Sequence, residues 1–258
     1  MMNTKSIGFI GGGKITRILL QGLKNKNLAF PSIKVCDTNN DALSGLKKEY
    51  PEIETAASAH EVVQQAVVFI ALHPPLIVET ISNLKASFNE NSLVISLAPK
   101  FSIEKLSGLT GTRRVMRMIP NATTFINKGY NPVCFPDGIQ DAEKKSIMET
   151  LQVLGKTFET EESKLEAYAV VSAMLPTYFW FQWKEMENIA RETGLTGQES
   201  QETIFETLNA ALEIMYNADM DYETVTDLIP VKPIGENEQE IKTILKTQLL
   251  GLFNKIKP

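Results

Sequence analysis

The feature that most restricts the fold of this chain lies at its start. An apolar run, Ile7-Gly8-Phe9-Ile10, enters Gly11-Gly12-Gly13 and passes directly into a helical pattern with Leu19, Leu20 and Leu23 at core-facing positions. Strand, glycine turn and helix in immediate succession form the opening βα unit of a doubly wound sheet. Gly11 permits the tight turn, and Gly13 lacks the Cβ that would hold an anion away from the backbone. The amides that begin the next helix then face that anion, so the segment from Gly11 through Gly12, Gly13 and Lys14 to Ile15 reads as a pyrophosphate cradle for NAD or NADP. Thr16 stands where a third small residue is usual. A tight βα turn with no ligand is the alternative.

The alternation continues. Strand-like runs are expected at 6–10, 33–36, 67–72, 92–97, 113–118, 131–135 and 157–159, and helical patterns at 14–24, 39–49, 60–65, 75–86, 103–107 and 140–154. Val67-Val68-Phe69-Ile70-Ala71-Leu72 is apolar without interruption, as a strand covered on both faces requires. The fold class is therefore α/β, an N-terminal Rossmann-type doubly wound sheet over residues 1–161. Beyond Glu162 strand signals stop, and residues 162–258 read as an all-helical domain. Helical stretches are expected over 163–193, bent or divided at Pro176 and closed by Gly194, then over 198–217 and 236–255. Residues 229–235 form a loop fixed by Pro230 and Pro233.

Leu165–Trp183 carries one charge, Glu166, and needs testing as a membrane span. Pro176, Ser172 and Gln182 interrupt it and charges of both signs flank it, whereas a span wants about 20 clean apolar residues with basic asymmetry. A helix buried on all sides is expected instead, with the aromatics Tyr178, Phe179, Trp180, Phe181 and Trp183 in a core or dimer interface. A net charge of −5 argues against a nucleic-acid partner. Cys36 and Cys134 sit in apolar runs without metal or disulfide spacing, so reduced thiols in a cytoplasmic protein without a metal site are expected. The N-terminus lacks the pattern of a secretory signal.

Individual residues refine this. Asp37 follows the second strand by the spacing expected of a ribose acceptor, 24 residues after Gly13, and a carboxylate there favours NAD over NADP. Asp37, Thr38 and Asn39 all cap helices well, which is the competing explanation. His73 lies at a strand's carboxyl end, where a ring of ordinary pKa can hydrogen-bond a cofactor or relay a proton, or simply face water. Lys14 at a helix N-terminus is unfavourable unless an anion neutralises it. Asn121 after Pro120 either orients a ligand or makes a turn.

Several segments resemble the Δ1-pyrroline-5-carboxylate reductases, in order and over nearly the whole chain. Residues 7–15 resemble their cofactor loop. Ala71-Leu72-His73-Pro74 is similar to their Ala-Val-Lys-Pro, Ser92–Ala98 to a strand ending Ile-Ser-x-Ala, and Arg117-Met118-Ile119-Pro120-Asn121 to Arg-x-Met-Pro-Asn. The resemblance implies a nicotinamide-dependent reductase of proline biosynthesis, a helical dimerisation domain forming a homodimer or larger homo-oligomer, and a small imino or keto acid as substrate. It also implies cofactor contacts at Thr38, Ala71, Leu72, His73, Pro74, Ala98 and Asn121, beside those named above.

The departures fall on the substrate side. Ser172-Ala173-Met174-Leu175-Pro176-Thr177-Tyr178 replaces Ser-Gly-Ser-Gly-Pro-Ala-Tyr, and residues 229–234 replace Ser-Pro-Gly-Gly-Thr-Thr. Ser172, Tyr178 and Lys232 are the candidate catalytic residues, as hydrogen-bond donors and a carboxylate anchor. Two functions follow: hydride transfer to a C=N or C=O bond of a small acid, or a non-catalytic dinucleotide-binding dimer that acts as a sensor or binds a partner.

Overall fold

The computed structural model describes residues 2–258, with the backbone alone at residue 3. It contains two compact units, Met1–Ala173 together with Leu252–Pro258, and Met174–Gly251.

The first unit is built on strands β1 (Ile7–Ile10), β2 (Ile33–Cys36), β3 (Glu54–Thr55), β4 (Val67–Ile70), β5 (Leu93–Ser96), β6 (Val115–Met118), β7 (Gly129–Cys134) and β8 (Gly155–Glu159). They form one sheet in the order β3-β2-β1-β4-β5-β6-β7-β8. Every pair is parallel except β6–β7. Helices α1 (Lys14–Asn25), α2 (Asn40–Glu49), α3 (Ala59–Val62), α4 (Pro74–Leu84), α5 (Ile103–Thr110) and α6 (Asp141–Leu151) connect the strands.

Side-chain alternation along each strand makes two cores. Ile7, Phe9, Val35, Val67, Phe69 and Ile95 meet Leu19, Leu20 and Leu23 of α1, Leu46 of α2 and Leu151 of α6 on one face. Ile10, Val68, Ile70, Val94 and Val115 meet Ile77 and Ile81 of α4 and Leu106 of α5 on the other. Strands apolar on both sides are what that double covering demands.

After β8 the chain turns helical: α7 (Leu165–Tyr168), a π-helical turn at Ala169–Ala173, then α8 (Leu175–Glu192), α9 (Gly197–Asn217), α10 (Tyr222–Asp227) and α11 (Glu238–Ile256). The second unit begins at Met174 and holds α8, α9, α10 and most of α11. A full capping box starts α9, where Thr196 and Glu199 satisfy each other's backbone amides.

Three expectations change. The helical stretch expected over 163–193 is divided, but ahead of Pro176: the π turn and Met174 interrupt it, and Pro176 lies in the first turn of α8, where its missing amide has no partner to lose. Strand β3 and helix α10 had no counterpart in the sequence reading. The Leu165–Trp183 stretch is not buried on all sides: Leu165, Glu166, Ala169 and Val170 are, but Trp180 is 49% and Phe181 68% exposed. No helix among the described residues is long and apolar enough to cross a membrane.

Candidate functional site

Five parallel strands, β2, β1, β4, β5 and β6, end at the same edge of the sheet, and the loops leaving that edge carry most of the predicted residues. The order of connections reverses between β1 and β4, which opens a crevice outside the strand ends.

Gly11 adopts φ +106, and a Cβ there would stand 2.5 Å from the Ala71 carbonyl, so no other residue can make this crossing. Thr16 acts as a lock rather than a flaw: its buried hydroxyl donates to the Gly11 carbonyl at 2.6 Å. Gly13 caps α1 in an extended conformation (φ −76, ψ −166) with no side-chain partner for the first amides of the helix. Nothing lies within 4 Å of the Cβ position at Gly13, and Lys14 beside it is exposed. Open space, unpaired helical amides and a lysine together suit an anion. Ile15 packs against the first core.

Asp37 braces the loop from the end of β2. Its Oδ2 accepts the Gly12 amide at 2.7 Å and its Oδ1 the Asn39 amide at 2.8 Å. Of the three capping candidates Asn39 is the cap of α2, its side chain accepting from Asp41 and Ala42, and Asp37 is not. Thr38 lies between the two. Ala71 and Leu72 leave β4 half-buried, and His73 caps α4 with its ring exposed and no side-chain capping bond, ahead of Pro74 at the first helical position. Ala98 is buried just beyond β5.

Asn121 and Ser172, 51 residues apart, meet. The Asn121 amide donates to the Ser172 carbonyl at 3.1 Å and to its Oγ at 3.2 Å. The Ser172 hydroxyl donates in turn to the Tyr130 carbonyl at 3.3 Å. Ser172 belongs to the π turn, a geometry that widens a helix and frees a carbonyl, which Asn121 takes up.

Tyr178 and Lys232 belong to the second unit. Burial raises the Tyr178 phenol above its ordinary pKa, so near neutrality it stays protonated. Lys232 lines a cavity of about 810 Å³ with Tyr222, Ile229, Pro233 and Ile241, beside a Glu238–Lys242 ion pair. Burial pushes the thiols of Cys36 and Cys134 up to about 11 each, which leaves neither as a nucleophile. Among the described residues no cluster of His, Cys, Asp or Glu is arranged to hold a metal ion.

One charged group escaped the sequence reading. Arg117 is fully buried and bonded to Glu162 at 3.0 Å and to Glu166. The available signal was one arginine in an apolar strand and one glutamate in an apolar stretch, two isolated charges that each needed a partner.

The fold and this strand-end site define a Rossmann-type α/β protein with a helical second part. The family model described as NADP oxidoreductase coenzyme F420-dependent matches residues 6–100. Pyrroline-5-carboxylate reductase of Escherichia coli strain K12 is 26% identical over 223 residues, 85% of this chain and 80% of that protein. The enzyme of that name from Corynebacterium melassecola is 23% identical over 96% of this chain and 93% of its own length. Among solved structures, pyrroline carboxylate reductase of Plasmodium falciparum, with NADP bound, superposes with a TM-score of 0.84 at 18% identity, covering 100% of this chain and 98% of that one. The Streptococcus pyogenes 1-pyrroline-5-carboxylate reductase gives 0.83, also at 18%, over 99% of each chain. Over most of its length the chain is thus similar to pyrroline-5-carboxylate reductases, in sequence and in fold.

Proposed function

We propose that this chain is a homodimeric, cytoplasmic oxidoreductase that uses a nicotinamide dinucleotide to reduce a C=N or C=O bond of a small acid. The observation that carries the reading is the strand-end site: an open glycine cradle, a braced acceptor at Asp37, and the Asn121–Ser172 pair on one sheet edge. The names of the relatives support it.

Gly11–Ile15 would hold the pyrophosphate and Asp37 the ribose hydroxyls, with Thr38, Ala71, Leu72, His73, Pro74 and Ala98 lining the rest. Bound there, the nicotinamide supplies the hydride. Two backbone amides hold Asp37 in place, so its charge cannot swing away from a 2′-phosphate. NAD(H) is therefore preferred over NADP(H). Asn121 fixes the Ser172 carbonyl and hydroxyl as one unit. The Ser172 proton points to Tyr130, so its oxygen serves best as an acceptor unless substrate displaces that bond. Tyr178, kept protonated, acts as a donor to a developing nitrogen or oxygen charge, and Lys232 anchors a carboxylate.

Pyrroline-5-carboxylate itself is turned over weakly or not at all. Val231, Lys232, Pro233 and Ile234 put bulk, a cation and a ring where the family carries Gly-Gly-Thr-Thr. Loss of one donor to a developing charge costs about 10²–10³ in rate, and several are lost here. Steady-state assays with NADH across cyclic imines and keto acids test the reading. Turnover of one of these well above pyrroline-5-carboxylate supports it. Ordinary turnover of pyrroline-5-carboxylate refutes the substrate claim, and binding without any turnover points to the non-catalytic sensor.

The second copy is inferred from α8, whose exposed Trp180 and Phe181 are more than one chain leaves in water without a partner.

A further inference from the structure

The guanidinium of Arg117 joins three separate pieces of the first unit. Nη1 donates to Glu162 Oε1 at 3.0 Å, and Nη2 donates to Glu166 Oε1. The same two oxygens also accept backbone amides from the segment after β5. Glu166 Oε1 takes Lys100 N at 3.3 Å, and Glu162 Oε1 takes Ile103 N at 2.6 Å. Lys100 is held at φ +79, a conformation unusual for a residue with a side chain. The pieces tied together are β6, which runs on to Asn121; the 97–103 segment, which carries Ala98; and residues 162–173, which carry Ser172.

Stability does not account for this arrangement. Arg117 is entirely inaccessible, its Nε is buried without a partner, and Glu166 is 2% exposed. Burying such charges costs solvation that the pairing roughly repays, and apolar groups of similar volume commonly do as well or better. A guanidinium with two fixed forks does supply relative position. Every backbone group it governs belongs to the half of the sheet beyond the topological switch. The Gly11–Ile15 loop and Asp37, on the other half, receive no hydrogen bond from the cluster.

We propose that Arg117 is a positioning residue for the nicotinamide half of the site: through Glu162 and Glu166 it sets Ala98 and the Asn121–Ser172 pair at one height above β5 and β6. This rests on the dinucleotide reading above. A doubly wound fold binds the two mononucleotide halves on either side of the switch, so the two halves report separately.

The test is calorimetric titration of wild type, Arg117→Lys and Glu162→Gln with NADH and with ADP-ribose, which keeps the adenosine and pyrophosphate but lacks nicotinamide. Both variants are expected to bind ADP-ribose like the wild type, while NADH binding by Arg117→Lys weakens about tenfold, the scale of one charge-assisted hydrogen bond. Glu162→Gln, at a one-third-exposed side chain, changes the same ratio by less and decides the matter if Arg117→Lys does not fold. Hydrogen exchange on the unliganded protein should quicken in 98–103 and 165–173 and not in 7–16. Equal weakening of both ligands, or of neither, overturns the positioning role alone. A wild type that binds neither ligand overturns the dinucleotide reading and this proposal with it.

Discussion

The two units treat their apolar residues in opposite ways. In the first, strands such as β4 and β5 are buried throughout, and even a guanidinium is sealed from water. In the second, Ser200 is the sole buried residue among those described, while Phe181, Phe205, Tyr216 and Val231 are each more than 60% exposed. The first unit closes its core with its own chain. The second holds its helices by caps and local pairs and leaves its large side chains exposed.

Breaking the second unit's outward face should have the largest effect. Trp180→Asp with Phe181→Asp places two carboxylates on that face. Light scattering should show twice the chain mass for wild type and the single mass, or aggregation, for the double variant. A wild type already at the single mass at micromolar concentration removes the reason for the comparison.

Gly155→Ala probes the closed core from inside. Gly155 has φ +132, and an added Cβ would stand 2.3 Å from the backbone of Gly129 on the paired strand β7. The β7–β8 pairing should part, at a cost of about 3 kcal/mol or more in chemical denaturation. A loss under about 1 kcal/mol would show that this edge of the sheet yields more readily than its neighbours.

Alkali should also destabilise the first unit. Burial raises Cys36 from 9.0 to about 11, and burial followed by the Glu49 charge raises Tyr50 from 10.0 to about 12. Groups with raised folded pKa values contribute stability that is complete below the unfolded value and lost as pH climbs through the folded one. Stability should therefore fall between about pH 9 and 12, by roughly 3 kcal/mol for Cys36. Cys36→Ala should flatten the lower part of that fall, and an unchanged profile would show that the thiol titrates freely. In the second unit, Thr196→Ala removes a helix cap at about 1 kcal/mol, the smallest change, read by helical circular dichroism on heating.

What the sequence disclosed follows the same division. The doubly wound sheet was legible because double burial forces continuous apolar strands, as in Val67–Ile70, and because Gly11–Gly13 joins strand to helix without a spacer. Glu54–Thr55 was not, since two exposed polar residues carry no periodic signal. The π turn at Ala169–Ala173 was hidden because Pro176 is the conspicuous helix breaker nearby, although a proline in a helix's first turn breaks nothing. Asn121 and Ser172 were each legible as candidates, but their meeting depends on a tertiary contact across 51 positions. The Arg117 cluster escaped for the same reason: pairing of buried charges is a property of the folded chain.

If the open cradle at Gly13 holds a dinucleotide, Gly13→Val should close it. Gly13 has an ordinary extended backbone with empty space at its Cβ, so valine should leave the melting temperature within a few degrees of wild type. Calorimetric titration with NADH should then give saturable binding to the wild type, tighter than NADPH, and none detectable to Gly13→Val. Equal binding by both proteins, or no heat of binding from the wild type, would contradict it.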